Sequence, residues 1–128
     1  MKLLLDTRAL VWWMTDDARL SPRARGLVTD PENRVYLSAA SAWEIATKQR
    51  LGRLLAGLSI FRSLETWLSE AQIEPLPIRF DHAVVAGSYE MKHRDPFDRI
   101  IAAQSDLEQM PVVTIDRAFR EFPVETLW

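Results

Sequence analysis

Short apolar runs alternate with segments of helical length along nearly the whole chain, and this order restricts the fold more than any other feature. Strands are expected at residues 2–6, 35–37, 74–76, 112–115 and 124–126. Helices are expected at 7–15, 22–29, about 42–50, about 60–71, 80–89 and 96–109, with a short helical turn at 117–121. Local punctuation supports these bounds. Ser21 and Asp95 each stand before a proline, the pattern of an N-cap followed by proline at the first helical position. Asp30-Pro31-Glu32-Asn33 reads as a turn, Gly52 as a helix stop, and Pro75 confines its strand to an edge. Strands and helices in alternation predict an α/β fold with a short, mainly parallel sheet covered on both faces. Such open sheets bind ligands beyond the carboxyl ends of their strands.

A chain of 128 residues suits one domain, and 48% hydrophobic residues suffice for a sizeable core. The absence of cysteine excludes disulfides and thiolate metal sites, and is compatible with a reducing cytoplasm. The opening Met-Lys-Leu-Leu-Leu-Asp is charged too early for a signal peptide, and no apolar run approaches the roughly 20 residues that span a bilayer. A cytoplasmic protein without membrane contact is therefore expected. The formal net charge of -2 gives no global attraction to nucleic acid. Two local basic clusters, Lys48/Arg50/Arg53 and Lys92/His93/Arg94, read first as solvated faces.

Four acidic residues occupy one kind of place. Asp6 ends the first strand, Glu44 and Asp98 fall in the opening turns of helices, and Asp116 follows Val-Val-Thr-Ile. Each has an ordinary structural reading. Ser41-Ala42-Trp43-Glu44 fits a capping box, Asp98 sits third after the Asp95 cap, and Asp6 and Asp116 suit caps of the helices behind them. As a set they suggest more. Four carboxylates at one sheet rim repel one another, and a hard divalent cation relieves that conflict. Mg²⁺ or Mn²⁺ held by carboxylates lowers the pKa of a bound water and polarises a phosphoryl oxygen.

Other chemistries are poorly supplied. The two histidines, His82 and His93, lack a His-Glu-x-x-His spacing, and no Gly-rich phosphate loop or Gly-x-Ser-x-Gly elbow occurs. A phosphatase with an aspartyl nucleophile usually carries a second Asp two residues after the first, where this chain has Arg8. The five tryptophans read mostly as core or subunit interface rather than as base-stacking platforms.

The segments Met-Lys-Leu-Leu-Leu-Asp-Thr-Arg-Ala-Leu-Val-Trp-Trp, Leu-Ser-Ala-Ala-Ser-Ala-Trp-Glu-Ile-Ala, His-Arg-Asp-Pro-Phe-Asp-Arg-Ile-Ile-Ala-Ala-Gln and Val-Thr-Ile-Asp-Arg-Ala-Phe, in that order, resemble the PIN-domain family. More narrowly they resemble VapC-type toxins of bacterial toxin–antitoxin systems. The resemblance implies a single PIN-like α/β/α sandwich over residues 1–128. It implies a Mg²⁺-dependent (or Mn²⁺-dependent) endoribonuclease, a hydrolase of RNA phosphodiester bonds, acting as the toxin of a type II pair. Catalytic and metal-binding roles carry over to Asp6, Glu44, Asp98 and Asp116. Thr7, Arg8, Arg94, Asp95, Arg99 and Thr114 are candidates for supporting or substrate contacts. Implied partners are RNA, a cognate VapB-type antitoxin and a second copy in a homodimer. Arg8 departs from the family's usual Asp-Thr-His-Ala-Leu, and suits either a phosphate contact or an ion pair that crowds the site. The alternative is a catalytically weak PIN-like module that binds RNA or an antitoxin without turnover.

Overall fold

Strand β1 (Lys2–Leu5) lies at the centre of a five-stranded, wholly parallel sheet of order β3-β2-β1-β4-β5. The other strands are β2 (Arg34–Ser38), β3 (Ile73–Leu76), β4 (Val112–Val113) and β5 (Thr126–Leu127). The computed structural model describes residues 1–53 and 64–128. Among the described residues, six helices connect the strands: α1 (Thr7–Met14), α2 (Pro22–Thr29), α3 (Ala39–Arg50), α4 (Leu64–Glu70), α5 (Phe80–Ser88) and α6 (Pro96–Glu108). A 3-10 turn follows at Arg117–Glu121. The first residues of the helix expected at 60–71 lie outside the described residues.

The period of two along each strand sorts side chains onto two faces. Leu3 and Leu5 pack with Val35, Leu37, Val113 and the buried faces of α1 and α2. Leu4 points the other way and packs with Tyr36, Val112, Ile101 and Phe119. Two cores on opposite faces make the expected α/β/α sandwich. Strands buried on both sides must be apolar at every position, which is why Leu3, Leu4 and Leu5 are consecutive. Each such leucine contributes about 1.5–3 kcal/mol by burial. Among the described residues no helix is long and apolar enough to cross a membrane.

Several boundaries differ from expectation. Helix α3 starts at Ala39, three residues early, because the Ser38 hydroxyl at the end of β2 accepts the Ala40 N–H at 3.0 Å and caps it. The capping box expected at Ser41 and Glu44 is therefore absent, and Glu44 sits in the second turn. Leu51 and Gly52 end the helix, and Gly52 adopts φ +67°, which favours glycine. Strand β4 stops at Val113 instead of reaching Ile115, which is exposed; the Thr114 N–H still donates to the Leu127 carbonyl, and its hydroxyl meets Asp6 in the site described below. The last strand lies at Thr126–Leu127 rather than 124–126. Trp12 is buried and Trp13 and Trp128 pack against its core, whereas Trp43 and Trp67 are exposed, Trp43 meeting Phe97 edge-to-face at 4.9 Å.

Strand order reverses at β1. The chain builds outward through β2 and β3, then crosses back to place β4 on the other side. The crevice between the carboxyl ends of β1 and β4 is thus the topological switch point, the usual ligand site of such a sheet.

Candidate functional site

Asp6 stands at that switch point. One carboxylate oxygen accepts the Ala9 N–H at 2.6 Å and caps α1. The other accepts the Thr114 hydroxyl, and the Thr114 oxygen accepts the Asp116 N–H at 3.0 Å. Backbone and hydroxyl thus tie the ends of β1 and β4 together through Asp6. Burial pushes the Asp6 carboxyl up to about 6, against the Thr114 and Ala9 hydrogen bonds and the Arg8 charge, and the Asp98 charge pushes the same way as burial. Asp116 caps the 3-10 turn by accepting the Ala118 N–H at 2.9 Å.

Helices α3 and α6 bring three more carboxylates, Glu44, Asp98 and the α6 cap Asp95. Glu44 pairs with Lys48 one turn on, at 2.9 Å. Asp95 caps α6 by accepting the Phe97 and Asp98 N–H groups. Asp98 meets His93 Nε2 at 2.9 Å. Burial raises the Asp98 pKa against the His93 hydrogen bond, and the nearby Asp95 and Asp116 charges add to the rise. Asp6, Glu44, Asp98 and Asp116, with Asp95, line one pocket of about 300 Å³. The cap readings and the shared-rim reading therefore hold together for Asp6, Asp95 and Asp116.

Several supporting residues are placed differently from expectation. The Thr7 hydroxyl donates to Ser41 Oγ at 2.9 Å, joining α1 to α3, and Thr7 itself lines the pocket. Arg99 spends four of its five N–H donors on backbone carbonyls, those of Ala86, Tyr89, Met91 and His93. It fastens the loop that carries His93 and has little left for a phosphate. Neither Arg94 nor Arg99 lines the pocket; Arg8, Arg19, Lys48 and Arg53 do. The sequence reading missed Arg19 altogether and took Lys48 and Arg53 for a solvated face. The Glu44–Lys48 spacing of four was a usable signal. The His93–Asp98 contact, across a loop, had none.

The donor set suits a hard cation in kind, since it consists of carboxylate oxygens at which negative charge is held against its preference. As they stand, no three acidic or histidine side chains among the described residues come close enough together to grip an ion. Each carboxylate is engaged elsewhere: Glu44 by Lys48, Asp98 by His93, Asp6 by Thr114, and Asp116 by a backbone N–H.

The PIN domain model matches residues 3–125. Among solved structures, the chain resembles one from the VapBC2 complex of Rickettsia felis bound to a DNA fragment from its promoter, at TM-score 0.71 and 15% identity, covering 99% of this chain and 98% of that one. It also resembles a chain of FitAcB from Neisseria gonorrhoeae, at TM-score 0.61 and 24% identity, covering 100% and 97%. A chain of a toxin–antitoxin complex from Klebsiella pneumoniae aligns at TM-score 0.61 and 16% identity, covering 98% and 96%. No curated protein sequence matches. At these identities the solved structures speak for the fold, and the family model speaks for the family. PIN domains are typically metal-dependent nucleases. The chain belongs to the PIN-domain family.

Proposed function

We propose that this protein is a Mg²⁺- or Mn²⁺-dependent endoribonuclease, the toxin of a type II toxin–antitoxin pair, restrained by a VapB-type antitoxin and working as a homodimer. The observation that carries the nuclease reading is the convergence of four carboxylates, from two strand ends and two helices, on the pocket at the switch point. The toxin assignment rests on the likeness in fold to chains from toxin–antitoxin complexes.

Asp6, Glu44, Asp98 and Asp116 would hold the cation. When bound, it would supply Lewis acidity toward a phosphoryl oxygen and lower the pKa of a bound water. The residues themselves divide the work. Thr114 and the Ala9 N–H fix both oxygens of Asp6, so that carboxylate needs no rearrangement. Glu44 and Asp98 are held by side chains, Lys48 and His93, that can be exchanged. Asp95 keeps the first turn of α6 formed, which sets the direction of Asp98.

Purified protein should cut single-stranded RNA with Mg²⁺ or Mn²⁺ and stop with a chelator. Asp98→Asn should abolish cutting. Equal cleavage by that variant would sink the proposal, and tight cation-dependent RNA binding without product would favour the non-catalytic module instead.

A further inference from the structure

We infer that Arg8 and Arg19, with Lys48 and Arg53, form a phosphate-binding wall, along which the backbone of single-stranded RNA enters the acidic pocket. This rests on the ribonuclease reading and adds the side from which the substrate is held. The cations come from separate stretches: the first turn of α1, the loop behind it, the last turn of α3 and the segment just past α3. They converge on one pocket although the whole chain is slightly acidic, at net -2.

Arg8 is the informative member. It is exposed beside Asp6 and forms no salt bridge among the described residues. The ion pair that would crowd the site is not made. Its guanidinium carbon lies 5.9 Å from the centre of the Trp12 ring, and that of Arg19 lies 4.9 Å from the same ring. Arg19 is held in this pose by Asp17, through Nε at 3.1 Å and Nη2 at 2.7 Å. Asp17 compensates the Arg19 charge, so the uncompensated positive charge at this indole is that of Arg8, which attracts an anion to this side of the pocket. Trp12 is only 8% exposed, so it orients the arginines rather than stacking on bases. Arginine forks match phosphate oxygens. On the opposite side, Arg99 is consumed by carbonyls and Arg94 does not line the pocket, so neither offers a competing track.

The test measures RNA affinity against salt in an Asp98→Asn background, which keeps the RNA intact. The probe is a fluorescent single-stranded RNA of about 12 nucleotides and mixed sequence, within the usual range of single-strand site sizes. Each lost phosphate contact should reduce the slope of log K against log salt by about 0.7. Arg8→Ala and Arg19→Ala should each do so, Arg8→Lys should retain the slope, and Arg94→Ala should leave it unchanged. Arg8 is exposed, so R8A carries the test alone if R19A disturbs Trp12. An unchanged slope in R8A with RNA still bound overturns the wall and spares the ribonuclease reading. No RNA binding by the parent protein removes both. If R8A keeps its RNA slope but loses affinity for a poly-glutamate peptide, the wall serves a protein partner and the inference fails.

Discussion

Asp6 and Glu44 line the same pocket, yet the chain holds them in opposite ways. Asp6 is buried at a strand end, with one oxygen on a backbone N–H and the other on the Thr114 hydroxyl, whose own oxygen is fixed by the Asp116 N–H. Glu44 lies on a helix with its carboxylate on the ammonium of Lys48, itself 47% exposed. Asp98 resembles Glu44 in being held by a side chain, His93, but Arg99 anchors the loop behind that histidine. The strand side of the site is preorganised and the helix side is exchangeable. A cation site built this way keeps part of its geometry before anything binds, and closes by exchanging weak partners on the other side.

The largest effect expected is at Arg99. Arg99→Met leaves four carbonyls without their charged donor and should lower stability by about 3 kcal/mol or more, read by urea denaturation. A loss below about 1 kcal/mol would mean that the loop is held by something else.

Asp6→Asn should act in the other direction. The folded carboxyl keeps its proton up to about pH 6, while the unfolded one releases it near the ordinary carboxyl value of 3.8. Between these values the folded state binds more protons, so this residue costs stability as pH rises, and the full cost is present above about 6. The amide removes that cost. Without divalent cations, D6N should be more stable than the parent at pH 7.5 by up to about 3 kcal/mol, an advantage that disappears below about pH 4. The same variant should lose any Mg²⁺-induced rise in Tm. Destabilisation at pH 7.5 would argue that Asp6 is held for structure.

Thr114→Val keeps the shape and removes the hydroxyl that joins Asp6 to Asp116. It should cost about 1–3 kcal/mol, since it strips a partner from a buried carboxylate and from a backbone N–H. Lys48→Met should change stability by less than about 0.5 kcal/mol, because a half-exposed pair four residues apart on a helix contributes little. It should nevertheless tighten Mn²⁺ binding measured by calorimetry, since the competing ammonium is gone. Unchanged Mn²⁺ affinity would show that Lys48 does not guard Glu44.

The order of strands and helices was legible because buried parallel strands must be apolar at every position, as Leu3, Leu4 and Leu5 are. The caps at Ser21, Asp95 and Asp6 were legible because capping is local. The start of α3 was not, since Ser38 and Ser41 are both acceptable caps and only the end of β2 decides between them. The four acids could be suspected of sharing a rim, but contacts between distant elements had no sequence signature. Thr7 with Ser41, Arg99 with the loop after α5, and Arg19 against Trp12 all depend on how helices dock. Arg99 also misleads by its type, because an arginine beside an acidic motif resembles a phosphate ligand until its donors are counted.

The most direct test of the shared site is calorimetric titration of Mn²⁺ into the parent protein, Glu44→Gln and Asp98→Asn, at neutral pH and without RNA. Saturable binding to the parent, weakened at least tenfold in both variants, is expected if carboxylates from α3 and α6 close on the same cation. Binding that survives either substitution unchanged, or no binding to the parent, contradicts a single cation site.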